Sequence, residues 1–372
     1  MNSTCRTLFL FLTAVLAMHI SAAHARADGD EITRLLHLEL PETVTFCGEQ
    51  VPLAREDVAE RLEYEMIVIL GNPVTTTFWF KRSPRYFPLI ESIIRARGLP
   101  EDLKYVALIE SDLRADVTSP AGASGPWQFM ESTGKSCGLD QDDCIDERRD
   151  WEYATQSALA HLADLKDRLG AWTLALAAYN AGEGRISRAM ETQGENDFYG
   201  LRLPRETERY VFRAIAAKIL LEHPYRYGVD LGDARLYRPN RVEAVEVNID
   251  NGASLSVREL AHACGVSFRL FREYNPAILG TYLPAGRHRL FIPEGSRDAF
   301  IAALSRIQAD AATEQKKQVA ASPKKVFHTV KKGETLTGIA KHYRTDAETI
   351  RKLNKLKPRE ILKAGRVLEI PE

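Results

Sequence analysis

The chain has 372 residues, which is enough for two or three domains of ordinary size. Its 50 Lys and Arg are balanced by 51 Asp and Glu, giving a formal charge of -1. That balance leaves no electrostatic footprint for nucleic acid, and the expected ligand is neutral or mixed in charge.

Residues 1–25 read as a signal peptide. Arg6 precedes an apolar run from Leu8 to Met18, and Ala23, His24 and Ala25 form a small-x-small cleavage site. The run is shorter than the roughly 20 residues that cross a bilayer, and Cys5 lies ahead of it, where it cannot become a lipid-bearing N-terminal cysteine. The mature protein is therefore expected to be exported, periplasmic or in the cell envelope, and neither lipid-anchored nor transmembrane. Export favours disulfides among the four remaining cysteines. Cys137 and Cys144, in "SCGLDQDDCIDE", are close enough in sequence to pair, while a pairing of Cys47 with Cys264 stays open. Neither CxxC nor a histidine at ligand spacing accompanies them, so no zinc site is expected.

Residues 26–84 read as a helical lead-in that includes "REDVAERLEYEMIVIL". "PLIESIIRARG" follows, and then the helix "EDLKYVALIES", in which Leu103, Val106, Ala107 and Glu110 share one face at spacings of three and four. Three more helices are expected at 151–169, 171–180 and 204–222, the last with Pro204 in its first turn and acidic residues close behind. The chain to about residue 225 should be a mostly helical globule.

From about residue 242 the pattern repeats. "LAHACGVSFRLFREYNP" lies over "IAKHYRTDAETIRKLNK" at an offset of 79 residues, which also superposes Gly286 on Gly365 and Asn275 on Asn354. Each copy runs strand, helix, helix, strand, giving two small βααβ modules at 242–293 and 326–371. The segment 302–325 between them has the composition of a linker. The rhythm of the first copy suggests a helix-turn-helix, but a DNA reader needs positive charge and does not follow a signal peptide.

Glu110 ends a packed helix, where a carboxyl can be rigidly aimed. After it come the turn-forming "SPAGASG" of 119–125 and "WQFM" of 127–130. Gly122, Ala123 and Gly125 would let a polymer backbone approach, and Gln128 offers both a donor and an acceptor. Sugar-cleaving enzymes that use water or a protein nucleophile pair two carboxylates. Candidates for a second acid are Asp112, Asp116, Glu183 and Glu206, with Glu183 the hardest to dismiss. The acidic "LDQDDCIDE" lacks the glycine and the spacing of a calcium loop, and the nine histidines form no catalytic or metal-binding set, so no metal or cofactor is expected.

"ALIESDLRADVTSPAGASGPWQFM", "LAAYNAGEGRI" and "LPRETERYV" resemble the signature segments of lytic transglycosylases of the soluble and membrane-bound D type. The two C-terminal repeats resemble LysM modules, strongly at 326–371 and more distantly at 242–293. Pro126 stands where that family has a large aliphatic residue. The resemblance implies a mostly α chain with a goose-lysozyme-like SLT catalytic domain over 85–225, followed by the two LysM-like modules. It implies that peptidoglycan glycan strands are the substrate and partner, cleaved between N-acetylmuramic acid and N-acetylglucosamine.

By the same resemblance Glu110 is the only acid and base. It protonates the glycosidic oxygen and then takes the proton of the sugar's own C6 hydroxyl, leaving a 1,6-anhydromuramyl end. This requires a Glu110 pKa raised by a partly buried, apolar setting. Ser119, Gln128, Tyr179, Asn180 and Tyr210 would line the sugar site, and "DERRD" would be a salt-bridged structural segment. A monomer is expected, with no nucleic acid and no named protein partner. Two other readings stay open: a hydrolytic muramidase in which Glu183 or another acid places water, and a peptidoglycan-binding scaffold without catalysis.

Overall fold

The computed structural model describes residues 32–250, 253–321, 326–357 and 360–371; the expected signal peptide lies outside them. The chain divides into two compact units. The first comprises the residues up to Ala244 together with Phe268–Thr281 and Phe291–Glu294, and the second takes Val245–Ser267, Tyr282–Leu290 and the chain from Gly295 onward.

The first unit begins with a short helix α1 over 32–36 and a hairpin of β1 (Thr45–Phe46) and β2 (Glu49–Gln50), so the lead-in is not wholly helical. Cys47 and Gly48 both have positive φ at the hairpin turn, as a two-residue connection of this hand requires. Helix α2 (Glu56–Leu70) follows, then α3 (Pro73–Ala96), which the Asn72 side chain caps by accepting from the Thr75 amide at 3.2 Å. The boundary expected at residue 84 falls inside α3, which runs straight through Pro84 and Pro88. An interior proline costs about 3 kcal/mol. Burial of Trp79, Phe80, Phe87, Ile90 and Ile94 along the same helix, at about 1.5–3 kcal/mol for each large side chain, outweighs it.

After a 3-10 turn at Glu101–Leu103 come α4 (Lys104–Ser111) and the short α5 (Glu131–Ser136). Helix α6 (Trp151–Leu169) is bounded by the Asp150 side-chain cap and by left-handed Gly170. Helix α7 (Trp172–Ala181) is apolar on every side, and Leu174, Ala175, Leu176 and Ala177 are completely buried. It forms the centre of the unit, packed by α6, α8 (Glu183–Gln193) and α9 (Arg205–Glu222), while α9 also packs on α2 and α4.

Strand β3 (Val242–Ile249) pairs with β6 (Gly286–Pro293), and β4 (Leu255–Ser256) pairs with β5 (Tyr282–Leu283). Helices α10 (Val257–Ala263) and α11 (Phe268–Tyr274) lie between β4 and β5 in the chain. The last module has β7 (Val326–Thr329) antiparallel to β8 (Val367–Ile370), with α13 (Leu336–His342) and α14 (Ala347–Leu353) closing a core of Val330, Ile339, Ile350, Leu368 and Ile370. The two copies share one device. Asn275 donates to the Phe271 and Phe291 carbonyls and accepts from the Phe291 amide; Asn354 does the same with Ile350 and Glu369.

Residues 302–321 are not a linker but the continuation of helix α12 (Arg297–Ala321). Ala, Gln, Glu and Lys are common in linkers and are also strong helix formers, and Phe300 and Leu304 are buried. The expected disulfide is likewise absent, since Cys47, Cys137, Cys144 and Cys264 are all free thiols. Cys137 ends α5, whereas Cys144 sits in a separate turn where its amide is held by the Asp142 carboxylate at 2.6 Å.

Candidate active site

Glu110 lies in the last turn of α4, whose Tyr105, Val106, Ala107 and Leu108 are buried in the core. The helix stops because Asp112 and Leu113 both take left-handed backbone conformations. Asp112 is fixed there by the Trp79 indole, which donates to its carboxylate at 2.6 Å, and by Arg82, which donates to its carbonyl at 3.0 Å. Ser111 ties the helix end to the next loop by donating to the Pro126 carbonyl at 2.9 Å. Pro126 thus serves through its backbone oxygen, which any residue at that position would supply.

The loop from Val117 to Phe129 is laced by isolated bridges of Ser124 with Thr118 and with Phe129. Ser119 closes its tip, accepting from the Ala123 amide at 3.0 Å. Gln128 has positive φ, and its amide nitrogen donates to the Gly125 and Val117 carbonyls at 2.8 and 3.3 Å. Trp127 is fully buried and donates to Thr155 at 2.9 Å, while its carbonyl accepts from the Tyr179 hydroxyl at 2.8 Å. Asn180, on the next residue of α7, accepts from the Thr207 hydroxyl at 3.0 Å.

Tyr210, on α9, donates to Oε1 of Glu110 at 2.6 Å. The Glu110 side chain keeps some exposure, but its carboxyl group lies in a densely packed setting that pushes its pKa up to about 7. Desolvation is the largest cause. The Tyr210 hydrogen bond and the Arg213 charge pull the value down, and the Glu206 charge adds a small push upward. Burial and the Glu110 charge together hold the Tyr179 and Tyr210 hydroxyls far above the ordinary phenol range, so both remain donors.

The structure therefore gathers Glu110 with Tyr210, and Tyr179 with the loop of Gln128. Glu183 stands at the start of α8, its carboxylate paired with Arg168 at 2.7 Å. Of the four carboxylates weighed as a second acid, Asp112, Asp116, Glu183 and Glu206, only Glu206 acts on the Glu110 titration. Sequence reasoning missed Arg213 and its anchor Glu65, a buried carboxylate on α2 that also pairs with Arg209. The only trace in the sequence is an acid on the apolar face of α2. A polar groove lined by Ser132, Cys137, Gln156, His161 and Asp164 includes neither Glu110 nor any of the residues expected to line the sugar site. Its Cys137 thiol is pushed up by burial and by Asp164, contrary to what a nucleophile needs. Among the described residues no group of three or more His, Cys, Asp or Glu could hold a metal ion, and no helix is long and apolar enough to cross a membrane.

Residues 89–201 match the family model of the transglycosylase SLT domain, 243–309 that of the lytic transglycosylase MltD LysM-like domain, and 328–371 that of the LysM domain. The chain is 31% identical over 297 residues to membrane-bound lytic murein transglycosylase D of Escherichia coli K12, covering 78% of this chain and 64% of that protein. The protein of the same name from strain O6:H1 gives the same values. An inactive variant of the lytic transglycosylase Slt of Pseudomonas aeruginosa aligns at 20% identity and a TM-score of 0.34, over 50% of this chain and 33% of that one. The 70 kDa soluble lytic transglycosylase of Escherichia coli aligns at the same identity and TM-score, over 52% and 34%. The chain thus joins an SLT-type domain to LysM modules and is homologous to the membrane-bound lytic murein transglycosylases of type D.

Proposed function

We propose that the chain is an exported peptidoglycan lytic transglycosylase in which Glu110 is the only catalytic carboxyl group. The observation that carries this reading is a half-buried Glu110 whose pKa is raised to about 7, with one oxygen held by the Tyr210 hydroxyl. Such a group is substantially protonated near neutrality and can donate. Its proton passes to the oxygen linking N-acetylmuramic acid to N-acetylglucosamine, and the C1–O bond breaks. The muramyl C6 oxygen then closes on C1 and surrenders its proton to the Glu110 carboxylate. The acid is restored and no water is consumed.

The Tyr210 hydroxyl serves both halves of this cycle, because it orients the acid and stabilises the carboxylate between them. Gln128 has committed its amide nitrogen to the loop, so its carbonyl oxygen is the group available to an acetamido N–H. Ser119 and Asn180 complete the sugar-binding edge, each already held by one internal hydrogen bond. The LysM modules would tether the enzyme to the polymer and raise its effective concentration there.

Hydrolysis of the same bond would need a second carboxylate to place water. Glu206, whose charge reaches Glu110, is the candidate, since Glu183 is neutralised by Arg168. Digestion of purified peptidoglycan by the wild type and by Glu206→Gln separates the readings: anhydro ends from both support the transglycosylase, and reducing ends lost only in the variant support hydrolysis.

A further inference from the structure

The stretch matched as the LysM-like domain does not all belong to the second unit: Phe268–Thr281 is part of the first. Within that unit it forms a short antiparallel bridge, Ile145 against Ile278. The Asp146 amide donates to the Ala277 carbonyl at 2.8 Å, and the Leu279 amide donates to the Cys144 carbonyl at 2.7 Å. Ile278 is 2% exposed, so the bridge is capped by an apolar contact as well.

The residues so held are the base of the loop that carries Ser119 and Gln128. The Asp146 carboxylate, 3% exposed, takes both sides of the Arg148 guanidinium at 2.9 Å. Arg148 spends its other nitrogen on the Gly122 and Phe129 carbonyls, each at 3.0 Å, spanning the loop from tip to exit. Arg149 donates to Ser124 at 3.0 Å and to Thr118 at 2.9 Å. The backbone itself is in contact, since a Cβ on Gly125 would fall 1.7 Å from the Arg148 carbonyl oxygen. An unbroken set of bonds therefore runs from Ala277, Ile278 and Leu279 through Cys144, Asp146, Arg148 and Arg149 to both ends of the loop.

We infer that residues 276–280 are a positioning strut for the sugar-binding loop, so that part of the LysM-like stretch is built into the catalytic unit. The inference rests on the transglycosylase reading for its functional consequence, though not for its structural one. Two variants of the full chain test it. Leu279→Pro removes one bridging amide, and Ile278→Ala removes the apolar cap.

Hydrogen exchange, read without substrate, should speed up about tenfold at the Ser124 and Gly125 amides while the α9 amides keep their protection. On soluble glycan strands KM should rise about threefold to tenfold with a smaller change in kcat and an unmoved pH profile, because Glu110 is untouched. Ile278→Val should recover most of the loss. Unchanged exchange in both variants overturns the strut, as does faster loop exchange with unchanged kinetics, or loss of protection throughout the unit. A wild type that converts no glycan would remove the transglycosylase reading and leave the strut to be judged on exchange alone.

Discussion

The Tyr210 hydroxyl lies 2.6 Å from Oε1 of Glu110, joining α9 to the end of α4 across 100 residues of sequence. The bond stabilises the carboxylate and so works against the burial that raises the Glu110 pKa. Tyr210→Phe should push that pKa above about 7 and extend the alkaline limb of the pH–rate profile to higher pH. The maximal rate should fall by about 10- to 100-fold as the acid loses its orientation. A limb that stays in place would show that Tyr210 does not act on the titrating group.

Glu110 should cost stability wherever it ionises. Its folded-state pKa of about 7 lies above its ordinary 4.5, so the folded protein holds the proton more tightly than the unfolded chain. Folding is therefore undisturbed by Glu110 below pH 4.5, penalised progressively between there and about 7, and penalised by a constant amount above. Glu110→Gln should be inactive yet more stable than the wild type at pH 8, by about 1–3 kcal/mol, with the gain vanishing at pH 4. Urea melts at the two pH values measure both quantities.

Two glycines of the loop from Val117 to Phe129 should behave differently. Both have positive φ, but a Cβ at Gly122 meets nothing within 4 Å, whereas one at Gly125 runs into the Arg148 backbone. Gly122→Ala should cost about 1 kcal/mol for its backbone conformation. Gly125→Ala must displace the loop from its support and should cost more than about 3 kcal/mol, with loss of activity. Equal melting temperatures for the two would show that the loop is not pressed against Arg148.

Glu65 is 1% exposed and faces Arg209 and Arg213 from α2. Because both arginines retain partial access to water, Glu65→Gln should cost about 2–3 kcal/mol, less than breaking a fully buried pair. Arg213 lowers the Glu110 pKa, and removing its counter-charge should strengthen that effect. The alkaline limb should then move to lower pH, opposite in sign to the shift from Tyr210→Phe.

Local signals in the chain were the readable ones. The extent of α6, the turn after Glu110 and the paired roles of Asn275 and Asn354 all follow from spacing within one element or one repeat. The boundary expected at residue 84 divides α3, because the backbone cost of its prolines is visible in sequence and the tertiary burial that overrides it is not. Helix α8 fully buries only Ile186, and its apolar stripe of Ile186, Ala189 and Met190 spans little more than one turn, too short to stand out in the sequence. The composition of 302–321 suits linker and helix alike, and only the burial of Phe300 and Leu304 separates them. The Glu65–Arg213 pair and the bridge of Ile145 with Ile278 join residues more than a hundred positions apart, beyond any window of periodicity.

The most direct test is the mass of the muropeptides released from purified peptidoglycan by the wild type and by Glu110→Gln. Products one water lighter than hydrolytic fragments, absent with the variant, are the predicted result and would establish the intramolecular reaction with Glu110 as its acid. Hydrated reducing ends from the wild type, or anhydro ends that persist in the variant, would contradict it.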